Sequence, residues 1–155
     1  MNRHRLQKVT LGQYIRRRNG VPAGAPGSLR NMLNRSLGAG TFAGFWRYWN
    51  PVFGYYLGRY IYQPLQRILP RAIALISTFV ACGVLHDLVT MAVRGSVTFL
   101  FTPWFLLLGT GVVVGGLARL DFSRRPWLVR AGINLAYVGG CLVATIAARR
   151  LLSIP

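Results

Sequence analysis

Two residues, Asp87 and Asp121, supply all the acidic side chains of this 155-residue chain, against 18 Arg and one Lys, and the formal net charge is +17. Such an excess calls for anionic partners, either nucleic acid or lipid headgroups. No recognised base-reading motif accompanies it, so the expected partner is a bilayer with anionic headgroups and no nucleic acid is expected. Charge of either sign is scarce, at 14% of residues, where a soluble domain carries roughly 25%. Cysteine is scarce as well. Cys82 and Cys141 lie in apolar stretches and read as small buried hydrophobes, too isolated for a disulfide framework. Cys82 and His86 share a helix face at i, i+4, but tetrahedral zinc needs more ligands, and no metal is expected. The first 30 residues lack the apolar core of a secretory signal peptide; their Arg-rich, acid-free composition also fits a mitochondrial transit peptide. The expected location is the bacterial cytoplasmic membrane, with an organelle inner membrane as the alternative.

What is abundant is apolar surface, 53% of residues, and it is segregated from the charge. Residues 1–71 hold 12 of the 19 basic residues, while 72–93 hold no Lys or Arg. A soluble fold interleaves the two; this pattern is that of an all-α integral membrane protein. Three apolar segments, 72–93, 97–118 and 128–148, each have the roughly 20 residues a helix needs to cross about 30 Å of hydrocarbon. The expected organisation is a basic flexible segment over 1–27, interfacial helices with an aromatic box over 28–70, and a three-helix transmembrane domain over 71–155. Pro22, Gly24, Pro26 and Gly27 oppose regular structure before Ser28, a candidate N-cap for an amphipathic helix over 29–37. Its stripe of Leu29, Met32, Leu33 and Leu37 suits a membrane surface or a protein partner equally.

Gly38 and Gly40 end that helix, and a dense aromatic patch follows from Phe42 to Tyr62, with Arg47, Arg59 and Arg67 spaced through and after it. Trp and Tyr beside arginines anchor chains at a membrane interface. Asn50-Pro51 predicts a helix start with Asn50 as N-cap and Pro51 at its first position; Pro64 is expected to interrupt it and Pro70 to close the region. The basic amino-terminal half and the 119–127 loop, under the positive-inside rule, lie together on the cytoplasmic side. Gly111 with Gly115, and Ala136 with Gly140 and Ala144, form small-residue faces through which helices approach one another in lipid, so self-association or other membrane subunits are expected.

His86 is the residue that needs explaining, because ionisable groups inside a membrane are costly and mark function by default. A neutral imidazole hydrogen-bonded within a bundle is the structural alternative. The stretch Phe45-Trp-Arg-Tyr-Trp-Asn50, a Tyr-rich helix, Pro64-Leu65, and then Thr78 through Gly83 to His86-Asp87, resembles the carboxyl-proximal core of the membrane-bound O-acyltransferase family. That family shows an aromatic Phe-Trp-Arg-x-Trp box ending in Asn or His, and about 35 residues later an apolar helix with Gly-x-x-His. The resemblance covers about residues 36–115. It implies that His86 is a general base on an acceptor hydroxyl and that Asn50 orients substrate or stabilises charge; Trp46 and Trp49 of the box are candidate substrate contacts. An acyl thioester would be the donor, and no cofactor is implied. The box reads equally as an interface belt. Two readings stand: an acyltransferase, alone or in an assembly, or a non-catalytic structural or lipid-binding subunit of a larger membrane complex that retains the core.

Overall fold

The computed structural model describes residues 9–96 and 99–152, and all regular structure among them is helical. Short helices α1 (Leu11–Asn19), α2 (Ser28–Leu37), α3 (Phe42–Tyr48) and α4 (Pro51–Leu57) form the amino-terminal half. A π-helical turn, Gly58–Tyr62, runs on from α4 into α5 (Gln63–Leu65). Three longer helices follow: α6 (Arg71–Arg94), α7 (Phe101–Leu117) and α8 (Trp127–Leu151).

The basic entry is not irregular where the structure describes it. Thr10 and Gln13 make a reciprocal capping box, and Gly20 at φ +83° closes the last turn, so nine residues form α1. Pro22 and the glycines act only after it. Gly27, not Ser28, occupies the N-cap of α2, at φ +80° and with no side-chain cap. The Ser28 hydroxyl instead accepts from Asn19 Nδ2 at 2.7 Å, tying α2 to α1. In the apolar stripe of α2, Leu29 is 66% exposed. Asn50 caps α4 as its Asn-Pro pair predicts: Oδ1 accepts from the Phe53 amide at 3.2 Å, and Pro51 takes the first position.

Pro64 does not break the helix it was expected to interrupt. A proline ring collides with the carbonyl four residues back and cannot donate to it. The chain widens by one residue just before Pro64, with the Gln63 amide bonding the Gly58 carbonyl, and so carries the helix through.

Helices α6 and α7 form a tight antiparallel hairpin whose joint is Asp87. This carboxylate is 1% exposed; Oδ1 accepts from the Leu100 and Phe101 amides at 3.0 and 2.9 Å. Its Oδ2 accepts from the Thr102 amide at 2.8 Å and the Thr102 hydroxyl at 2.6 Å. Those amides belong to the first turn of α7 and have no partner inside their own helix. Gly83, one turn earlier, permits the approach, since a Cβ there would lie 2.7 Å from the Phe101 carbonyl oxygen and from Thr102 Cα.

Helix α8 closes the bundle with polar side chains set among apolar ones. Asn134, fully buried, donates through Nδ2 to the Leu37 and Ala39 carbonyls, both at 2.9 Å. Trp127 Nε1 donates to the Asn34 carbonyl at 3.1 Å, and the Phe122 amide to that of Gly40 at 2.9 Å. The terminal carbonyls of α2 and the loop after it are thereby satisfied from the 119–134 region. The Gly111 and Gly115 face, expected to meet another protein, is filled from within: the Tyr137 ring lies over Gly111 and the Phe42 ring over Gly115. Ala136, Gly140 and Ala144 remain exposed.

Two helices, α6 with 24 residues and α8 with 25, are long and apolar enough to cross a membrane. The segment expected over 97–118 is shorter. Val97 and Thr98 lie outside the described residues, and α7 has 17 residues because the Asp87 carboxylate starts it at Phe101. The segment expected over 128–148 is longer, running from Trp127 to Leu151. Apolar side chains line the outside, with Val93 81%, Leu117 79%, Leu128 77% and Val143 67% exposed, as suits helices bathed in lipid.

Removing the joint should loosen the hairpin. Asp87→Ala strands three amides and one hydroxyl in the interior, a loss on the order of 3 kcal/mol. Asp87→Asn keeps one acceptor oxygen and should lose less. Thermal unfolding in detergent, followed by tryptophan fluorescence, should rank the stabilities wild type, Asn, Ala; an Ala variant as stable as wild type would refute the clamp.

Candidate functional site

Helices α3, α4, α6 and α7 enclose a cavity of about 330 Å³, and His86, Asn50, Trp46 and Trp49 all line it. Residues separated by up to 40 positions in the sequence are thus brought to one space. Each reaches it for a local reason.

His86 lies one turn after Cys82 on α6, and its Nδ1 is 2.7 Å from the Cys82 carbonyl oxygen. A carbonyl only accepts, so Nδ1 carries a proton, and in the neutral imidazole Nε2 then keeps its lone pair. Rings hold the imidazole on several sides. Phe105 stacks on it at 5.1 Å and 29°, Phe101 lies tilted at 5.4 Å, and Phe53 meets it edge-on at 5.9 Å. Asp87, though adjacent in sequence, is spent on the start of α7 and does not orient the imidazole.

Asn50 comes to the cavity from the start of α4. Its backbone is left-handed, φ 39° and ψ 71°, a conformation Asn tolerates better than most residues. Its Oδ1 is engaged by the Phe53 amide, so the same cap that starts α4 fixes the residue whose ring touches His86.

The two tryptophans behave differently. Trp46 donates its indole N–H to the Tyr137 hydroxyl at 3.2 Å, and that hydroxyl donates in turn to the Leu108 carbonyl. Trp46 is therefore locked, edge-on to Phe79 at 5.2 Å, and offers the cavity an aromatic wall rather than a donor. Trp49 stacks on Phe45 at 5.5 Å and is 37% exposed, at the cavity's rim. Arg47, between them in sequence, also lines the cavity.

Reading the sequence alone missed the rings that hold the imidazole. Phe101 and Phe105 sit i, i+4 on α7, and Phe53 lies three residues after the Asn50 cap, a spacing at which caps act. It also missed Tyr137, whose hydroxyl in an apolar span was the available sign of a buried bond.

No characterised protein and no solved structure matches this chain. A family model does: that of the membrane-bound O-acyltransferases, over residues 29–145, from the first turn of α2 into α8 and including every residue that lines the cavity except Tyr14. The match spans most of the sequence, and the chain belongs to the membrane-bound O-acyltransferase (MBOAT) family.

Proposed function

We propose that this chain transfers an acyl group from a thioester donor to a hydroxyl acceptor, with His86 as the general base. The observation that carries the reading is the 2.7 Å bond from His86 Nδ1 to the Cys82 carbonyl, which leaves Nε2 free to accept a proton beside a cavity. Nε2 takes the proton of the acceptor hydroxyl while that oxygen bonds to the thioester carbonyl carbon. The tetrahedral intermediate then expels the thiolate, which recovers the proton from Nε2. Throughout, the Nδ1–H bond holds the ring in one orientation. Asn50, its Oδ1 engaged by the Phe53 amide, has its Nδ2 donors for the reactants. Trp46 and Trp49 serve as apolar walls for substrate, and the phenylalanines around the imidazole keep competing water from the thioester.

We also assign α7 as a third span between α6 and α8, with the amino-terminal half and the 119–127 loop on the cytoplasmic side of a bacterial membrane. At 1.5 Å per residue α7 is about 25 Å long, near the thickness of the hydrocarbon core. The bonds from Phe122 to Gly40 and from Trp127 to Asn34 support a common side for the two basic regions.

A second reading, a non-catalytic subunit that keeps this core, is favoured by one observation. Apolar side chains on the outer faces of all three long helices are left uncovered by the chain itself and suit other membrane subunits or a second copy as well as lipid.

Activity separates the readings. His86→Gln should cut acyl transfer by about 10²–10⁴-fold with little change in substrate binding, since a base acts mainly in the transition state. Asn50→Asp retains an acceptor for the Phe53 amide but loses both donors, and should give a smaller loss at unchanged stability. If the wild-type protein, alone and with co-purifying partners, transfers from no thioester donor while His86→Gln impairs assembly, His86 is a packing residue and the second reading stands.

Topology is tested independently of chemistry. Ser96→Cys and Arg124→Cys should react with a membrane-impermeant thiol reagent from opposite sides of sealed vesicles. Labelling of both from one side would remove α7 as a span.

A further inference from the structure

A second and larger cavity, about 880 Å³, shares Arg47 with the first, and five arginines line it: Arg17, Arg18, Arg47, Arg59 and Arg67. They come from α1, α3, the π turn and the turn after α5, so their convergence is a product of the fold and not of a run in the sequence. No carboxylate lines the cavity. Both acidic residues of the chain are engaged elsewhere, Asp87 by the first turn of α7 and Asp121 by the amide and hydroxyl of Ser123.

Two of these guanidiniums, those of Arg59 and Arg18, are held in position. Arg59 Nη1 donates to the Tyr55 hydroxyl at 2.6 Å, and that hydroxyl donates to the Val9 carbonyl at 3.2 Å. The Arg59 guanidinium also lies 5.8 Å from the Tyr55 ring and 5.9 Å from that of Tyr60, and Arg18 lies 5.0 Å from the Tyr14 ring. Arg35 donates to the Arg18 carbonyl at 3.0 Å and fixes the end of α1. Like charges gathered in this way repel one another, and the arrangement is relieved by an anion with several oxygens. Planar guanidinium forks match phosphate in geometry as well as charge.

We propose that this cavity is a phosphate-binding cradle. Its phosphate comes either from an anionic lipid headgroup at the membrane surface or from a soluble phosphate-bearing molecule. The inference stands on the arginines and needs no chemistry at His86.

The test compares two double variants of equal charge. R17Q/R67Q removes two cradle arginines; R124Q/R125Q removes two from the 119–127 loop, outside the cavity. In one arm, each protein is reconstituted in nanodiscs of phosphatidylcholine with phosphatidylglycerol, and lipid retained after release is read by native mass spectrometry. In the other, pyrophosphate is titrated into protein in neutral detergent and followed by the fluorescence of Trp46 and Trp49, which flank Arg47 in sequence. Retained phosphatidylglycerol that R17Q/R67Q loses and R124Q/R125Q keeps supports the cradle and identifies the headgroup as its source. A pyrophosphate response weakened about tenfold or more by R17Q/R67Q alone supports it with a soluble source. Equal loss in the two double variants, no loss in R17Q/R67Q, or a wild type that binds neither probe overturns it. Acyl transfer is not read in either arm, so this outcome is separate from the fate of His86 as a base.

Discussion

The Asp87 carboxylate at the first turn of α7 is the constraint on which the rest of this molecule rests. A buried charge is costly unless fully hydrogen-bonded, and here four donors and the positive end of a helix dipole meet one side chain. The bond set fixes where α7 begins, and hence the register of α7 against α6. Gly83 sets how closely they approach. Phe101 and Phe105 stand on the first turns of α7, so their positions against the His86 ring follow from that register. Shift α7 by one residue and the imidazole loses its walls.

Gly83, His86 and Asp87 thus divide three tasks within little more than one helical turn. Gly83 and Asp87, four apart, share the face that meets α7, one by absence of a side chain and the other by accepting its amides. His86, rotated about 100° from Asp87, turns back to a carbonyl of its own helix. The site is therefore anchored from two directions. Helix α6 supplies the imidazole and the carbonyl that holds its Nδ1, and the start of α4 supplies Asn50 and, through its cap, the Phe53 ring. The Trp46–Tyr137–Leu108 chain of hydrogen bonds joins α3, α8 and α7 behind them.

Local rules with a single cause were legible in the sequence. Asn50-Pro51 starts a helix because Asn50 accepts from an orphan amide of the first turn and Pro51 has no amide to orphan, and the apolar lengths of α6 and α8 follow from composition. What escaped depended on distant partners. The start of α7 is set by a carboxylate 14 residues upstream, so an apolar pattern over 97–118 could not locate it. Pro64 was expected to stop a helix, and it would have done so in a strict α geometry; the π turn relieves the clash. The Gly111 and Gly115 face offered a close approach, and spacing alone did not reveal that aromatic rings of the same chain would take it. His86, Asn50, Trp46 and Trp49 could be named from their motif, while their convergence on one cavity is a property of tertiary packing.

Charge follows a similar division of labour. A chain with two carboxylates and a formal charge of +17 has little means of neutralising itself, and it commits both acids to hydrogen bonding. Asp121 lies at the surface, and its bonds with the Ser123 hydroxyl and amide hold its carboxyl below the usual carboxylate range. It organises the turn between α7 and α8, beside Gly40, where a Cβ would lie 2.6 Å from that of Ser123. Each acid therefore closes one connection of the three long helices: Asp87 the first, Asp121 the second. With both acids so committed, neither side-chain carboxylate is left for the five arginines that line the larger cavity. Screening by salt and distance would weaken such attractions in bulk water, and an anionic surface concentrates them within roughly one Debye length. The apolar helices suit hydrocarbon and the basic half suits an anionic surface, and the boundary of a membrane offers the two side by side.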